Sequence, residues 1–127
     1  MEDVSTRAVW EQLYCLLQHH QKKGRDNSPN DVLNRLFHEY VPQAKQFRLN
    51  EQNCYLSMEV WSTTDLANVT RRHDRREPRE ENCPVVVLLY GTQSYMIDGN
   101  NRVNRWVTNN KSSHHNVVVV RCGMMDT

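Results

Sequence analysis

The stretch Tyr95-Met-Ile-Asp-Gly-Asn-Asn-Arg-Val-Asn-Arg-Trp106 decides the fold, because it joins the end of a strand to the start of a helix. Residues 94–97 have strand character, and residues 98–101 are a cluster of turn-forming types. Apolar residues follow at helical spacing over 103–107, and two asparagines at 109–110 mark the end of the helix. The segment therefore predicts a strand, a tight turn and a short helix.

The turn and the first helical turn carry the residue types of an anion site. Unpaired backbone N–H groups and the positive end of the helix dipole favour a phosphate at the start of a helix. Gly99 allows close backbone approach, and Asn100 and Asn101 offer amide donors. Arg102 and Arg105, three residues apart on one face, can bind phosphate oxygens bidentately. These five residues are the predicted phosphate-binding or nucleotide-binding set.

Asp98, at the end of the strand, has several candidate roles. Its carboxylate can hold an arginine, bind a metal ion together with a phosphate, or act as a catalytic base. The structural alternative is that Asp98 caps the helix or pairs with an arginine, in which case the motif needs no ligand. The sequence leaves these alternatives open.

The flanking segments predict a small sheet. Residues 85–90 form a continuous apolar, β-branched run, typical of strands buried on both faces, and a turn at 91–93 joins them to 94–97 in a hairpin. Residues 54–60 alternate as a strand, and residues 116–121 return as another. We therefore expect an α/β (α+β) domain built on a small mixed sheet.

The order of strand, Asp-Gly-x-x-Arg and helix resembles the ParB/sulfiredoxin superfamily, whose members carry a similar I-D-G-H/N-H-R motif. Here the motif reads Ile97-Asp98-Gly99-Asn100-Asn101-Arg102. The likeness covers about residues 54–122 and is strongest over 84–107, whereas residues 1–50 have no counterpart in it. The resemblance implies a ParB/sulfiredoxin-like sheet preceded by an N-terminal helical hairpin.

The resemblance also implies a site for the phosphates of a nucleotide at the turn and helix start. Members of the superfamily use it for CTP-gated clamping on DNA, ATP-dependent sulfinic-acid repair, small-molecule kinase activity and nuclease activity. Asn100 stands where sulfiredoxins have their nucleophilic cysteine, so we expect no sulfiredoxin activity. Asn101 replaces the histidine that commonly precedes the motif arginine, which favours phosphate binding over phosphoryl transfer.

We divide the chain into a helical hairpin extension, residues 1–50, and the ParB/sulfiredoxin-like domain, residues 51–127. Apolar residues at three- and four-residue spacing indicate a first helix over about 5–22. The Ser28-Pro29 pair begins a second helix, with serine as the N-cap and proline in the first turn. The hairpin either covers the sheet or offers residues 5–40 to a protein partner.

Two other segments bear on the predicted site. Glu59, in the strand over 54–60, can face the site as a general base, and the alternative is an acid at the edge or in solvent. Residues 71–81 hold five arginines and four acids. They indicate either a solvated loop or a loop whose Arg71 and Arg72 close over an anionic ligand.

The composition of the chain excludes several classes of function. Sixteen Lys and Arg against fifteen Asp and Glu give a net charge of +1, which argues against a broad polyanion-binding surface. The longest apolar run, residues 84–90, is too short to cross a bilayer, and the acidic N-terminal residues lack the pattern expected of a secretory signal. We expect a cytoplasmic protein without membrane contact. Adjacent histidines such as His19 and His20 point to different faces, and no C-x-x-C pair occurs, so no metal site is predicted.

Three functional hypotheses follow. The first is binding of a nucleotide or phosphorylated small molecule, with a nucleoside triphosphate and Mg²⁺ as the implied cofactor. Its catalytic form is NTP hydrolysis or phosphoryl transfer assisted by Asp98 and Glu59. The second is a catalytically inactive protein-protein interaction module, and the third, least favoured, is nucleic-acid processing or single-strand binding through the arginines of 71–79.

Overall fold

The computed structural model describes residues 4–73 and 83–123. Over these residues the mixed α/β fold class is confirmed. The helices are α1 (Val4–Leu17), α2 (Pro29–Tyr40), α3 (Thr63–Ala67) and α4 (Asn100–Thr108), and the strands are β1 (Cys54–Ser62), β2 (Val85–Tyr90), β3 (Gln93–Asp98) and β4 (His114–Cys122). Within the described ranges, every helix is too short or too polar to cross a bilayer.

The four strands form one mixed sheet in the order β1-β4-β2-β3. β4 pairs antiparallel with β1 and parallel with β2, while β2 and β3 form the predicted antiparallel hairpin. Along 85–88 and 117–120, successive side chains alternate between two apolar clusters on opposite faces of the sheet. These two stretches are apolar at every position because helices cover both faces of the sheet there.

The N-terminal helices cover one face of the sheet. Their inward side chains, among them Trp10, Leu13, Leu33 and Phe37, are buried in one cluster with residues of all four strands. The structure thus agrees with the interpretation in which the hairpin covers the sheet. The apolar side chains of α1 and α2 are thus buried inside the molecule, and the hairpin and the sheet share a single core.

The opposite face is covered by α3 and α4. Ser62 and Asp65 form a capping box that starts α3, in which each side chain accepts from the other residue's backbone N–H. Val103 and Trp106 of α4 pack with Leu66 against the sheet. This packing fixes the axis of α4, and therefore the place of the predicted site, relative to the strands.

The first helix ends earlier than predicted. α1 stops at Leu17 and continues as a single 3-10 turn, Gln18–His20, after which Gln21 is extended. The prediction that the helix reaches residue 22 is wrong because the Lys22 N–H instead donates to Asp26 Oδ2, at 2.8 Å. The change of direction at this turn brings the two histidines to the end of β3.

A short extended segment after α3 runs beside the outer edge of β3. The Thr70 N–H donates to the Ser94 carbonyl at 3.0 Å, and the Thr70 carbonyl accepts from the Met96 N–H at 2.8 Å. This pairing carries residues 71–73 to the start of α4. The rest of the predicted arginine-rich loop, 74–81, lies outside the described residues.

A buried ion pair fixes the 3-10 turn to α2. Arg35 donates to both carboxylate oxygens of Asp26, at 3.0 to 3.2 Å, and to the His20 carbonyl at 2.8 Å. Burial raises the pKa of Asp26, but the hydrogen bonds from Arg35 and Lys22 outweigh it and hold that pKa below its usual value. The ionised form of Asp26 is therefore the one that stabilises the fold.

We expect Asp26→Asn to lower the free energy of unfolding by about 3 kcal/mol at neutral pH, since it removes the main partner of a largely buried guanidinium. The pKa of Asp26 is lower in the folded than in the unfolded chain. Its contribution is therefore present above about pH 4 and is lost as the pH falls through the folded pKa. Urea unfolding of both proteins over this range measures the difference, and a gap that does not shrink in acid contradicts the assignment.

Candidate functional site

The predicted strand, turn and helix form around Gly99. β3 ends at Asp98, Gly99 has φ +105°, and α4 begins at Asn100. A residue with a side chain rarely adopts this φ, and a Cβ atom at Gly99 would lie 2.4 Å from Val85 Cγ1. Gly99 therefore lets the start of α4 pack against β2, and the space beside it is filled by protein.

Arg102 is a core residue, with 1% of its surface exposed. Its guanidinium donates to the carbonyl of Cys83 and, at 3.5 Å, to that of Pro84, and its Nη2 lies 3.6 Å from Asp98 Oδ2. This is the structural pairing of Asp98 with an arginine that the sequence left open. Arg102 ties α4 to the residues before β2, and we assign it no direct contact with a ligand.

Asn100 is also buried and occupied by protein partners. Its Oδ1 accepts from the Arg72 N–H at 2.8 Å and from the Tyr40 hydroxyl at 3.4 Å, while its Nδ2 donates to the Met96 carbonyl at 3.2 Å. These hydrogen bonds connect α2, β3 and the segment after α3 to the first turn of α4. The amide of Asn100 is therefore a structural connector and is not directed outward.

The exposed side of α4 lines an open cleft of about 440 Å³. Asn101, Asn104, Arg105 and Thr108 line it at positions i, i+3, i+4 and i+7, a spacing that places them in one stripe on the helix. Arg71, from the segment after α3, also lines the cleft. Asn101 and Arg105, which were predicted to bind the ligand, thus line the same cleft as Arg71, which was predicted to lie in the closing loop.

Arg71 is held rigidly at the edge of this cleft. Its Nη1 donates to the carbonyls of Leu66, Ala67 and Val69, which caps the last turn of α3, and its Nε donates to Asn104 Oδ1 at 2.7 Å. The remaining nitrogen, Nη2, has no hydrogen bond among the described residues. Such an arginine is oriented before any ligand arrives.

Arg72 points the other way. Its guanidinium donates to Glu39 Oε1 at 2.6 Å and lies 5.6 Å from the centre of the Tyr40 ring. The two arginines predicted to close over a ligand are therefore separated: Arg71 faces the α4 cleft, whereas Arg72 attaches its segment to α2.

Glu59 lies at the opposite edge of the sheet from Asp98, three strand spacings or about 14 Å away. Its carboxylate accepts from Arg121 at 2.7 Å, from Ser57 at 2.7 Å and from Trp61 at 2.9 Å. The hydrogen bond from Arg121 lowers the pKa of Glu59 to about 2, which makes it a weak base at neutral pH. The distance between the two carboxylates and the low pKa of Glu59 both argue against the predicted joint catalytic role of Glu59 and Asp98.

The structure also brings together residues that the sequence did not connect. His20 Nε2 lies 2.6 Å from Asp98 Oδ1, and His19 Nε2 lies 3.6 Å from the same oxygen. Both imidazoles reach one carboxylate because the 3-10 turn tightens the chain where the helix ends. The adjacent histidines were visible in the sequence, but their distant partner, 78 residues away, was not.

Comparison with models of protein families, with curated proteins and with solved structures finds no match. The ParB/sulfiredoxin resemblance accordingly rests on the sequence motif of residues 97–102. The function is argued below from the geometry of the described residues.

We expect Gly99→Ala to lower the free energy of unfolding by about 3 kcal/mol or more, because it adds a clash with Val85 to a strained backbone. Gly91→Ala is the matched control. Gly91 also has a positive φ, +62°, but a Cβ atom there meets nothing within 4 Å, so strain alone costs about 1 kcal/mol. Urea denaturation compares the two, and equal losses contradict the tight packing of α4 on β2.

Proposed function

We propose that the chain binds the phosphate group of a nucleotide or phosphorylated small molecule in the α4 cleft. The observation that carries the proposal is the charge of its lining. Arg71 and Arg105 supply two guanidinium groups, Asn101 and Asn104 supply amides, and His73 adds an imidazole. No described residue of the lining carries a carboxylate.

The size and rigidity of the cleft are suited to binding a small ligand. Its volume of about 440 Å³ falls within the range of small-molecule sites, about 300–1,000 Å³. Arg71 is already oriented by the carbonyls at the end of α3, so less side-chain entropy is lost when its guanidinium contacts an anion. Asn101 belongs to the first turn of α4, where the helix dipole favours negative charge.

The proposed activity is binding, not hydrolysis. The Glu59 carboxylate is at the far edge of the sheet and is held ionised by Arg121. Asp98 is buried in contacts with His20 and Arg102 and does not line the cleft. The nucleoside triphosphate and Mg²⁺ suggested by the sequence resemblance are the ligands to be tried first.

Calorimetry with ATP, CTP, GTP and inorganic phosphate, with and without Mg²⁺, tests the proposal. Arg105→Gln removes an exposed charge from the cleft, and we expect the dissociation constant to rise about tenfold, the value of one charge-assisted hydrogen bond. Lys45→Gln is the matched control. Lys45 lines a second cleft, of about 530 Å³, whose Arg35 is neutralised by Asp26 and Glu39.

We expect Lys45→Gln to bind as the wild type does. Two results would reject the α4 cleft as the site. One is the absence of a binding heat with every ligand. The other is a loss of affinity in Lys45→Gln as large as that in Arg105→Gln.

The second candidate is a protein interaction module, and one observation favours it. β1 pairs only with β4 among the described strands, so the backbone groups along its outer edge are available for pairing. Tyr55, Met58 and Val60 on this strand are exposed apolar residues, with Val60 at 63%. A second copy of the chain can add to this edge as an antiparallel strand.

Val60→Lys places a charge on this strand without opening the core. If copies pair through β1, sedimentation velocity shows a concentration-dependent dimer for the wild type and a monomer for Val60→Lys. Thr64→Lys, which adds the same charge at an exposed position of α3, should remain dimeric. A wild type that stays monomeric at every concentration tested removes this candidate.

A further inference from the structure

The end of α1 and the end of β3 bring two imidazoles and one carboxylate to a single point. The nearest ligand atoms of His19, His20 and Asp98 all lie within 4.8 Å of one another. The His20 and Asp98 side chains are each 4% exposed, whereas that of His19 is 33% exposed. The cluster is therefore buried on one side and reachable from solvent on the other.

Hydrogen bonding within this cluster is incomplete. Asp98 Oδ2 and His20 Nδ1 are buried and have no hydrogen-bond partner among residues 4–73 and 83–123. Arg102 Nη2 lies 3.6 Å from Asp98 Oδ2, which is beyond hydrogen-bonding distance. Buried polar atoms without partners are few in native proteins and cost about 1–3 kcal/mol each. The unpaired Oδ2 shows that the Asp98 carboxylate has acceptor capacity that the described residues do not use.

We propose that His19, His20 and Asp98 form a binding site for a divalent transition-metal ion of the zinc class. Two imidazole nitrogens and one carboxylate oxygen are the ligand set of many zinc sites that keep a fourth position open. Mg²⁺ and Ca²⁺ prefer oxygen ligands throughout, so the imidazoles select against them. The exposed side of His19 is where the fourth position is reached from solvent.

The distances fit this assignment with a small adjustment. Tetrahedral coordination with bonds of about 2.0–2.1 Å places ligand atoms roughly 3.3 Å apart. The present separations to Asp98 Oδ1 are 2.6 Å from His20 and 3.6 Å from His19, on either side of that value. Binding replaces the hydrogen bond between His20 Nε2 and Asp98 Oδ1 by one bond from each atom to the ion, and the proton between them moves to His20 Nδ1 or is released to solvent.

Neighbouring residues position the ligands and also limit the affinity. Arg35 donates to the His20 carbonyl at 2.8 Å, which fixes the turn that carries both histidines. Arg102 holds its positive charge 3.6 Å from Asp98 Oδ2 and so opposes a second cation. The site is independent of the α4 cleft, because no residue is shared between the two sets.

Titration of the full chain with Zn²⁺ by calorimetry, and with Co²⁺ by visible absorption, tests the proposal. We expect the wild type to bind one equivalent of either ion. His19→Gln changes a partly exposed side chain and should weaken binding by at least about tenfold, as should the isosteric Asp98→Asn. His114→Gln, which removes an exposed histidine from another adjacent pair, is the matched control and should bind as the wild type does.

Thermal melting adds a second measurement. At one Zn²⁺ concentration the melting temperature should rise for the wild type and for His114→Gln, and by less for His19→Gln, because stabilisation of the folded state by mass action falls as the dissociation constant rises. The proposal is overturned if the wild type shows no saturable binding of either ion, or if His19→Gln binds as tightly. It is also overturned if Co²⁺ shows a thiolate charge-transfer band, since that assigns the ion to cysteine.

Discussion

The buried carboxylate of Asp98 is the group around which the rest of the structure is arranged. A charge at the end of β3 without water is costly unless positive or hydrogen-bonding groups surround it. The chain supplies them from two places: His20, from the distant end of α1, at 2.6 Å, and Arg102, four residues further along in α4, at 3.6 Å. Because His20 belongs to the N-terminal hairpin, this one carboxylate joins the hairpin to the strand-turn-helix motif. Gly99 then allows α4 to lie close enough to β2 for Arg102 to reach both Asp98 and the residues before that strand.

Much of the fold could be predicted because its signals are local. The Ser28-Pro29 start of α2, the apolar run of β2 and the Asp-Gly turn before α4 each lie within a few residues of the element they specify. The end of α1 could not be predicted, since it depends on Asp26 and on Arg35 of the next helix. Strand order was also beyond local patterns, and that order is what separates Glu59 from the predicted site.

The candidate site shows the same division between local and distant information. The motif located the helix start correctly, but motif residues face different ways once α4 is packed. Asn101 and Arg105 face the cleft, whereas Asn100 and Arg102 are buried in contacts with the rest of the protein. A linear motif cannot distinguish these orientations, because they depend on which side of the helix meets the sheet. The cluster of His19, His20 and Asp98 depends most on distant information, since Asp98 lies 78 residues after His20 in the chain.

The central position of β4 has a consequence for how the chain folds. β1 and β2 are not neighbours in the sheet; each pairs with β4, the last of the four described strands, with contacts as distant as that of Cys54 with Cys122. Until residues 114–122 have left the ribosome, β1 lacks the strand with which it pairs, and of the strand pairs described only the β2–β3 hairpin can form. Sheet assembly is therefore limited by closure of long loops, and folding is expected to be slower than for a helical protein of equal length. During synthesis, α1 and α2 can form before the sheet on which their apolar faces pack is complete. The core therefore forms only when β4 has been synthesised, and not when the helices form.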